Sequence, residues 1–591
     1  MRFRRSARIV LTAVLAAGLT ACSGSGSGAQ GDDIDRDVIR FAEFPGVVPN
    51  WILPITDPGH NGSPNTMQFS FLMWRPLFWR GNGAEPTLDE RLALAEEPAY
   101  ADDKRSVTVK LHDYNWSDGK PITSRDVEFW INLIKHNPTR WSGYVKGNIP
   151  DNIDTFEAVD DKTFKLTLTE PVSADWFTGN QLSLIVPLPH HAWGNGDDDR
   201  TEAGAKAVLD RLMEESKKPA EYATNPLWKT VSGPWTLSKY TTDGHITFVP
   251  NNAYTGPAKP TVKRFEQVPF TTEDAAFNAL VAGDIDVGPL PFKNLNQRER
   301  LEKDGYTFVP WRNWTVNYLA LNYNNPETGP LVRQTYIRQA MQSLIDQPLI
   351  IDKVFNGQGA QQYGPIPLEP ANPYATVKNA PFPYDENKAV TLLRDNGWDV
   401  KPGGQTTCKS PGTGPGQCGE GIEAGTPLAF EAIVTSNRRP VLLEMQSQQS
   451  VFQQKAGIAF QVQPTPFAQI ITEAFAPCTR EKPDGCPWQT AVWGGGSNVQ
   501  PYPTGEQLFH STGSSNAGHY SDPKADELIE ASITGGPEEL KAFEEYLAQQ
   551  VPVLWVPNPS YQLSMVRNGL QGADGQNPYS GVTPELWNWK K

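Results

Sequence analysis

Trp116-Ser117-Asp118-Gly119-Lys120-Pro121-Ile122-Thr123, followed by Asp126-Val127, is the stretch from which the fold is read. Ahead of it, Val107, Val109 and Leu111 alternate with polar neighbours, the period of a strand with one buried face. Asp118-Gly119 marks a tight turn, since glycine accepts the positive φ such turns require. Thr123 is placed to cap a helix, with Asp126 three residues on as a short version of the capping box. Val127, Trp130, Ile131 and Ile134 then recur at helical spacing. Strand, turn and capped helix follow one another without a break.

The two periods keep alternating outward from this point. Upstream, residues 38–41 are strand-like, residues 45–64 are rich in Pro, Gly and Asn, and residues 67–79 are apolar and aromatic. Downstream, Phe164, Leu166 and Leu168 alternate as a second strand. His190-His191 reads as extended chain, which points the two rings to opposite faces. Residues 204–217 read as helix, and so do residues 272–281, with Glu273 and Asp274 in the first turn and Gly283 as the stop. Residues 318–322 form a buried strand; residues 332–345, 385–396 and 442–456 form helices, the last stopped by Gly457. Ile458, Phe460 and Val462 alternate as a strand, residues 521–533 and 537–549 are helical, and residues 551–556 form an edge-like strand containing Pro552. Strands and helices that alternate over most of a chain imply an α/β architecture with helices on sheet faces.

The N-terminus has the parts expected of an export signal. Arg2, Arg4, Arg5 and Arg8 precede an apolar run over residues 9–19, too short for the roughly 20 residues a spanning helix needs. Leu19-Thr20-Ala21-Cys22 and a Ser/Gly tether follow. The bulk of the chain, with a net charge of −15 and 38% hydrophobic residues, is that of a folded acidic protein, which argues against nucleic acid as partner. There are 18 tryptophans, enough for both a large aromatic core and an aromatic-lined cleft. Beyond Cys22 the cysteines are Cys408, Cys418, Cys478 and Cys486, two local pairs in Gly/Pro-rich loops. An even number in an exported chain reads as disulfides, and short loop closure favours Cys408–Cys418 and Cys478–Cys486. No C-x-x-C and no nearby His supports zinc there.

Enzymatic chemistry finds little support. The chain lacks H-E-x-x-H, G-x-x-x-x-G-K-[ST] and G-x-S-x-G. Asp197-Asp198-Asp199 lacks the spaced ligands of a calcium loop. Gly494-Gly495-Gly496 follows a strand-like run without a clear helix start, so it suits close approach of a ligand to bare backbone better than a phosphate cradle. No cofactor and no metal is called for.

The run over residues 107–127 resembles the signature of the peptide-type substrate-binding proteins of ATP-binding cassette importers, the extracellular family that also holds dipeptide, oligopeptide and nickel binders. Other landmarks stand in that family's order: Ser232-Gly233-Pro234-Trp235, Ala279 to Val287, Tyr318 to Asn322, Ile337-Arg338-Gln339-Ala340 with Ile345-Asp346, and Pro383-Tyr384-Asp385 before Gly397-Trp398. The leader is similar to a bacterial lipoprotein signal, which implies a cut before Cys22 and a lipid on it. The resemblance implies a two-lobed periplasmic-binding-protein-like fold (type II, with an extra insertion domain) closing on ligand like a hinged trap. Its domains map to 1–21 (signal), 22–37 (tether), 38–75, 205–305 and 550–591 (lobe I), 76–204 (insertion domain) and 306–549 (lobe II).

The implied function is capture of a solute, foremost a peptide, by a monomer lipid-anchored on the outer face of the cytoplasmic membrane, and delivery to a permease. A metal complex or oligosaccharide is the alternative ligand, and an exported hydrolase the alternative activity. The implied cleft residues are Trp314, Asn317, Trp493, Gly494, Gly495 and Gly496. In oligopeptide members a tryptophan late in the second lobe is followed three residues on by an aspartate that pairs with the peptide's α-amino group. Here Trp493 is kept, Gly496 stands in the aspartate's place, and no acid appears until Glu506. The expectation is a ligand that need not offer a free amine.

Overall fold

The computed structural model describes residues 35–82, 87–196, 198–436, 438–476, 478–479, 485–494, 496–573 and 577–590. Cys22, Asp197 and Gly495, singled out above, lie outside the described residues. The chain from Asp37 onward packs as one unit.

Among the described residues, three larger sheets carry the architecture. The first has seven strands, in spatial order Tyr306–Trp311, Gln562–Arg567, Val287–Pro289, Val38–Ala42, Arg264–Val268, Ile246–Pro250 and Trp235–Tyr240. Val38–Ala42 runs parallel to both of its neighbours, and the outer pairs are antiparallel. The second has five strands, in order Ala459–Thr465, Ala429–Thr435, Thr490–Val492, Tyr318–Leu321 and Leu554–Trp555, the first three mutually parallel. The third is antiparallel: Ala99–Tyr100, Ser106–Lys110, Thr163–Leu168 and Ile153–Ala158. The chain leaves the seven-stranded sheet at Trp311, enters the five-stranded sheet at Tyr318, and returns between Trp555 and Gln562.

The opening stretch behaves as its pattern demands. Val107 pairs with Leu166 and Val109 with Phe164, which brings the two apolar faces together. The helix Ser124–His136 begins where Thr123 N–H donates to Asp126 Oδ2 at 2.8 Å. The same carboxylate accepts from Trp116 Nε1 at 3.2 Å, and its other oxygen accepts from His190 N–H at 3.0 Å. Asp126 is thus the knot that ties turn, helix and a distant segment together, and its burial raises its pKa.

The aromatic residues pack as core. Phe41 stacks on Trp311 at 6.1 Å, and Trp587 stands edge-on to Phe265 at 5.8 Å. Arg75, buried in this layer, is paired with Glu585, whose second oxygen accepts from Trp235 Nε1 at 3.2 Å. Both disulfides, Cys408–Cys418 and Cys478–Cys486, are formed.

Two local readings differ from the outcome. The helix expected over 332–345 is two pieces, Gly329–Val332 and Thr335–Gln342, with Gln334 extended between them. Arg338 enforces the break: its guanidinium donates to Val332 O at 2.6 Å, Gln550 O at 2.8 Å and Val551 O at 2.9 Å, tying the pieces to the end of the helix Pro537–Gln550. His190-His191 lies in the helical turn His190–Trp193 rather than in extended chain, because Asp126 accepts the His190 N–H and fixes the start. His191 Nε2 is 2.8 Å from Asp118 Oδ2 and His190 Nε2 is 3.5 Å from Asp199 Oδ1, so the two rings serve separate acids.

Candidate cleft between the two large sheets

In open sheets, ligands gather beyond the carboxyl ends of parallel strands, where loops diverge and backbone groups lie unpaired. The five-stranded sheet delivers Thr435 and then Arg438 from one parallel strand, and Trp493-Gly494 from its neighbour. The seven-stranded sheet delivers Glu43 and Phe44 from the end of Val38–Ala42. The two sets approach each other. Tyr561, at the return crossing, has its ring 6.4 Å from Phe44 and is a charge neighbour of Arg438, as is Glu273 at the start of the helix Glu273–Ala282.

Trp493 stands edge-on to Tyr318 at 5.4 Å and tilts against Phe475 at 5.9 Å. Gly494 has φ +83°, and a Cβ there would meet Thr435 Cγ2 at 2.4 Å. Gly496 has φ +64°, and a Cβ there would meet Val316 O at 2.7 Å and Asn317 Cγ at 3.1 Å. Both glycines are therefore fixed by backbone conformation and by close approach. Trp493, Gly494, Gly496 and Asn317 thus share one neighbourhood.

Asn317 has work of its own. Its backbone N–H and its Nδ2 both donate to Asn558 Oδ1, at 2.7 and 2.9 Å, and Asn558 Nδ2 donates to Gln362 Oε1 at 2.8 Å. This amide chain locks the outgoing crossing to the returning one. Trp314 is fully buried on the outgoing crossing, and its Nε1 donates to Pro370 O at 2.8 Å. Its ring carries the Arg80 guanidinium at 5.3 Å and meets Tyr579 edge-on at 5.8 Å. The Trp314 backbone O accepts from Val499 N–H at 3.0 Å, which ties this end of the crossing to the chain just after the glycine loop, while Arg80, over its ring, borders with Tyr100, Asp175 and Tyr374 a cavity of about 410 Å³.

Charge in this region is set by burial. Glu43 is only 4% exposed, both its carboxylate oxygens lack a hydrogen-bond partner among the described residues, and desolvation pushes its pKa up to about 8. Glu506 is also raised by burial; it accepts from Asn148 Nδ2 at 3.3 Å, in a seam where Asn180 Nδ2 donates to Tyr502 O at 2.7 Å and Tyr502 N–H donates to Asn180 Oδ1 at 2.9 Å. That acid closes the seam between residues 148–180 and 500–506 and does not serve the glycine loop. Reading the sequence alone missed Glu43, Arg438 and Tyr561. Glu43 and Arg438 each stand just beyond a strand, which is the one local signal they give.

Residues 91–516 match the family model for bacterial extracellular solute-binding proteins, family 5. A Brucella ovis protein named as a putative ABC transporter peptide-binding protein is 26% identical over 316 residues, 52% of this chain and 52% of that one; the chain spans about half the length of the curated relatives it matches at this level. The crystal structure of NikZ from Campylobacter jejuni with Ni(L-His) superposes with a TM-score of 0.67 at 19% identity, covering 94% of this chain and 100% of that one. The oligopeptide-binding protein AppA from Bacillus subtilis, solved with a nonapeptide, gives a TM-score of 0.64 at 19% identity, covering 94% and 99%.

Proposed function

The chain belongs to family 5 of the bacterial extracellular solute-binding proteins, and from that premise we propose that it captures a peptide between its two large sheets and delivers it to the permease of an ATP-binding cassette importer. The observation that carries the reading is the opposition of strand ends across two crossings, with Gly494 and Gly496 offering backbone on one wall and Phe44 and Tyr561 on the other. Two crossings joined by the Asn317–Asn558 bonds suit a hinge about which the walls close. Residues 38–75, 205–305 and 550–591 would form lobe I, residues 76–204 its insertion domain and residues 306–549 lobe II.

The protein acts as a carrier and performs no chemistry on its cargo. It works as a monomer outside the cytoplasm, held by lipid on Cys22 through the Ser/Gly tether; no described helix is long and apolar enough to cross a membrane. The peptide's amine is not required, since Gly496 replaces the acid that would pair with it. The test is to incubate the purified protein with a tryptic casein digest and its N-acetylated twin, then identify what is retained. Stoichiometric retention of intact peptides from both digests is expected. Turnover would mark an enzyme, and loss of the acetylated set would show that an amine is read. Replacing Cys22→Ala should free the folded protein from the membrane fraction; a variant that still pellets after a salt wash refutes the anchor.

A further inference from the structure

We propose that Tyr318 is a positioning residue for capture: it grips the glycine wall from both ends and hangs it on the outgoing crossing, so that Gly494 and Gly496 meet the solute in one fixed shape. This rests on the solute-binding reading and deepens it. Tyr318 opens the strand Tyr318–Leu321, directly after the crossing residue Asn317. Its ring stands edge-on to Trp493, the residue before the glycines, at 5.4 Å. Its hydroxyl lies 2.9 Å from the Oγ of Ser497, the residue after them, and the two hydroxyls share a hydrogen bond. One side chain thus holds both arms of the turn, without itself being part of the wall that faces the solute.

A wall of glycine needs such a hold. Glycine loses more conformational freedom on ordering than any other residue, so a wall ordered only by the solute would weaken binding by that entropy. The exit arm is fixed through its backbone: Val316 pairs with Ser497 and Thr315 with Asn498 in an antiparallel ladder, and Val499 N–H donates to Trp314 O at 3.0 Å. Gly496 runs so close to the crossing that a Cβ there would meet Val316 O at 2.7 Å. The entry arm leaves its strand at Val492, and Trp493 then packs its ring against Tyr318 and Phe475. Tyr318 is itself held: it is 8% exposed, and its backbone pairs with Trp555 ahead of the returning crossing. Burial pushes its pKa up to about 12, so the hydroxyl stays protonated and its bond to Ser497 persists through neutral pH. The glycine wall and the strand that leads out of the hinge therefore meet in one residue.

The rival is that Ser497 touches the solute itself and Tyr318 only fills the core. Wild type, Tyr318→Phe, Ser497→Ala, Ser497→Thr and the double variant Tyr318→Phe with Ser497→Ala are compared by urea unfolding and by calorimetry with one peptide that wild type retains from a tryptic casein digest. Tyr318→Phe keeps the ring on Trp493 and removes only the hydroxyl; Ser497→Thr keeps a hydroxyl in place. Losing either hydroxyl is expected to weaken capture roughly three- to tenfold, the double variant no more than either single one, with Ser497→Thr near wild type. Ser497→Ala weakening capture while Tyr318→Phe binds as wild type is the rival, and overturns the proposal. Single effects that multiply in the double variant overturn it too, as do unfolding midpoints that fall while affinity stays, and a threonine variant that behaves as alanine. A second readout needs no ligand: fluorine NMR of fluorotryptophan-labelled protein, with the Trp493 line assigned by its loss in Trp493→Phe. That line should move in Tyr318→Phe and Ser497→Ala and stay in Ser497→Thr; a line unmoved in the first two overturns the proposal. If wild type retains no peptide, the peptide reading fails, and this line alone decides whether Tyr318 holds the wall.

Discussion

At the scale of single residues, the cleft walls are held under tension between burial and chemistry. Glu43 has a folded pKa of about 8 against an ordinary 4.5, so the folded state holds a proton that the unfolded chain releases over that window. Stability contributed by this group is therefore intact below about pH 4.5 and falls as pH rises toward 8, by roughly 3 kcal/mol at pH 7 from linkage. Glu43→Gln keeps the shape and removes the titration. It should raise the unfolding midpoint little at pH 5 and clearly at pH 8; a difference that stays flat with pH would refute the assignment. Gly494→Ala tests the other wall. At φ +83° and with Thr435 Cγ2 in the way, a methyl should lower stability by about 1–3 kcal/mol, read by urea unfolding, and weaken capture alongside. Unchanged values for both would mean the loop has another shape in solution.

Elements show how much the sequence had already written. The alternation Val107, Val109, Leu111 and the matching Phe164, Leu166, Leu168 forced one register, since a slip by one residue would turn every apolar side chain outward. Thr123 and Asp126 marked the start of the helix Ser124–His136, and Gly283 and Gly457 ended two others with left-handed caps. What spacing could not reveal is that Asp126 also accepts from Trp116 and His190. Asp126→Ala would leave one buried and two partly buried N–H groups without this acceptor and should destabilise the protein by about 3 kcal/mol, measured by thermal or urea unfolding. A loss under 1 kcal/mol would show that water replaces the carboxylate, on the order of a lone cap. The broken helix at Gln334 is the same lesson in reverse: residues 332–345 have helical periodicity, and a buried arginine drawn to carbonyls far along the chain overrode it.

For the whole molecule, the decisive feature is that the chain crosses between sheets on two adjacent segments. Asn558 joins them, accepting two bonds from Asn317 and donating to Gln362. Asn558→Leu should lower stability by about 2–4 kcal/mol through unpaired buried groups and change ligand affinity without touching either cleft wall. Urea unfolding and calorimetry with a retained casein peptide measure the two effects, and wild-type values for both would remove the hinge role of this bond. The sequence by itself determined the period of each element, the turns and stops between them, the pairing of cysteines ten and eight residues apart, and the family. Those are local properties, fixed by side-chain periodicity, glycine's freedom and short loop closure. Only the tertiary structure decided that Trp314 is buried at a crossing, that Asn317 bonds across to Asn558, and that Arg438 passes over Gly494 with Tyr561 as a charge neighbour. Residues hundreds of positions apart carry no mutual signal in a single chain. Their burial, and the charge that burial leaves unpaired, exists only once the sheets have brought them together.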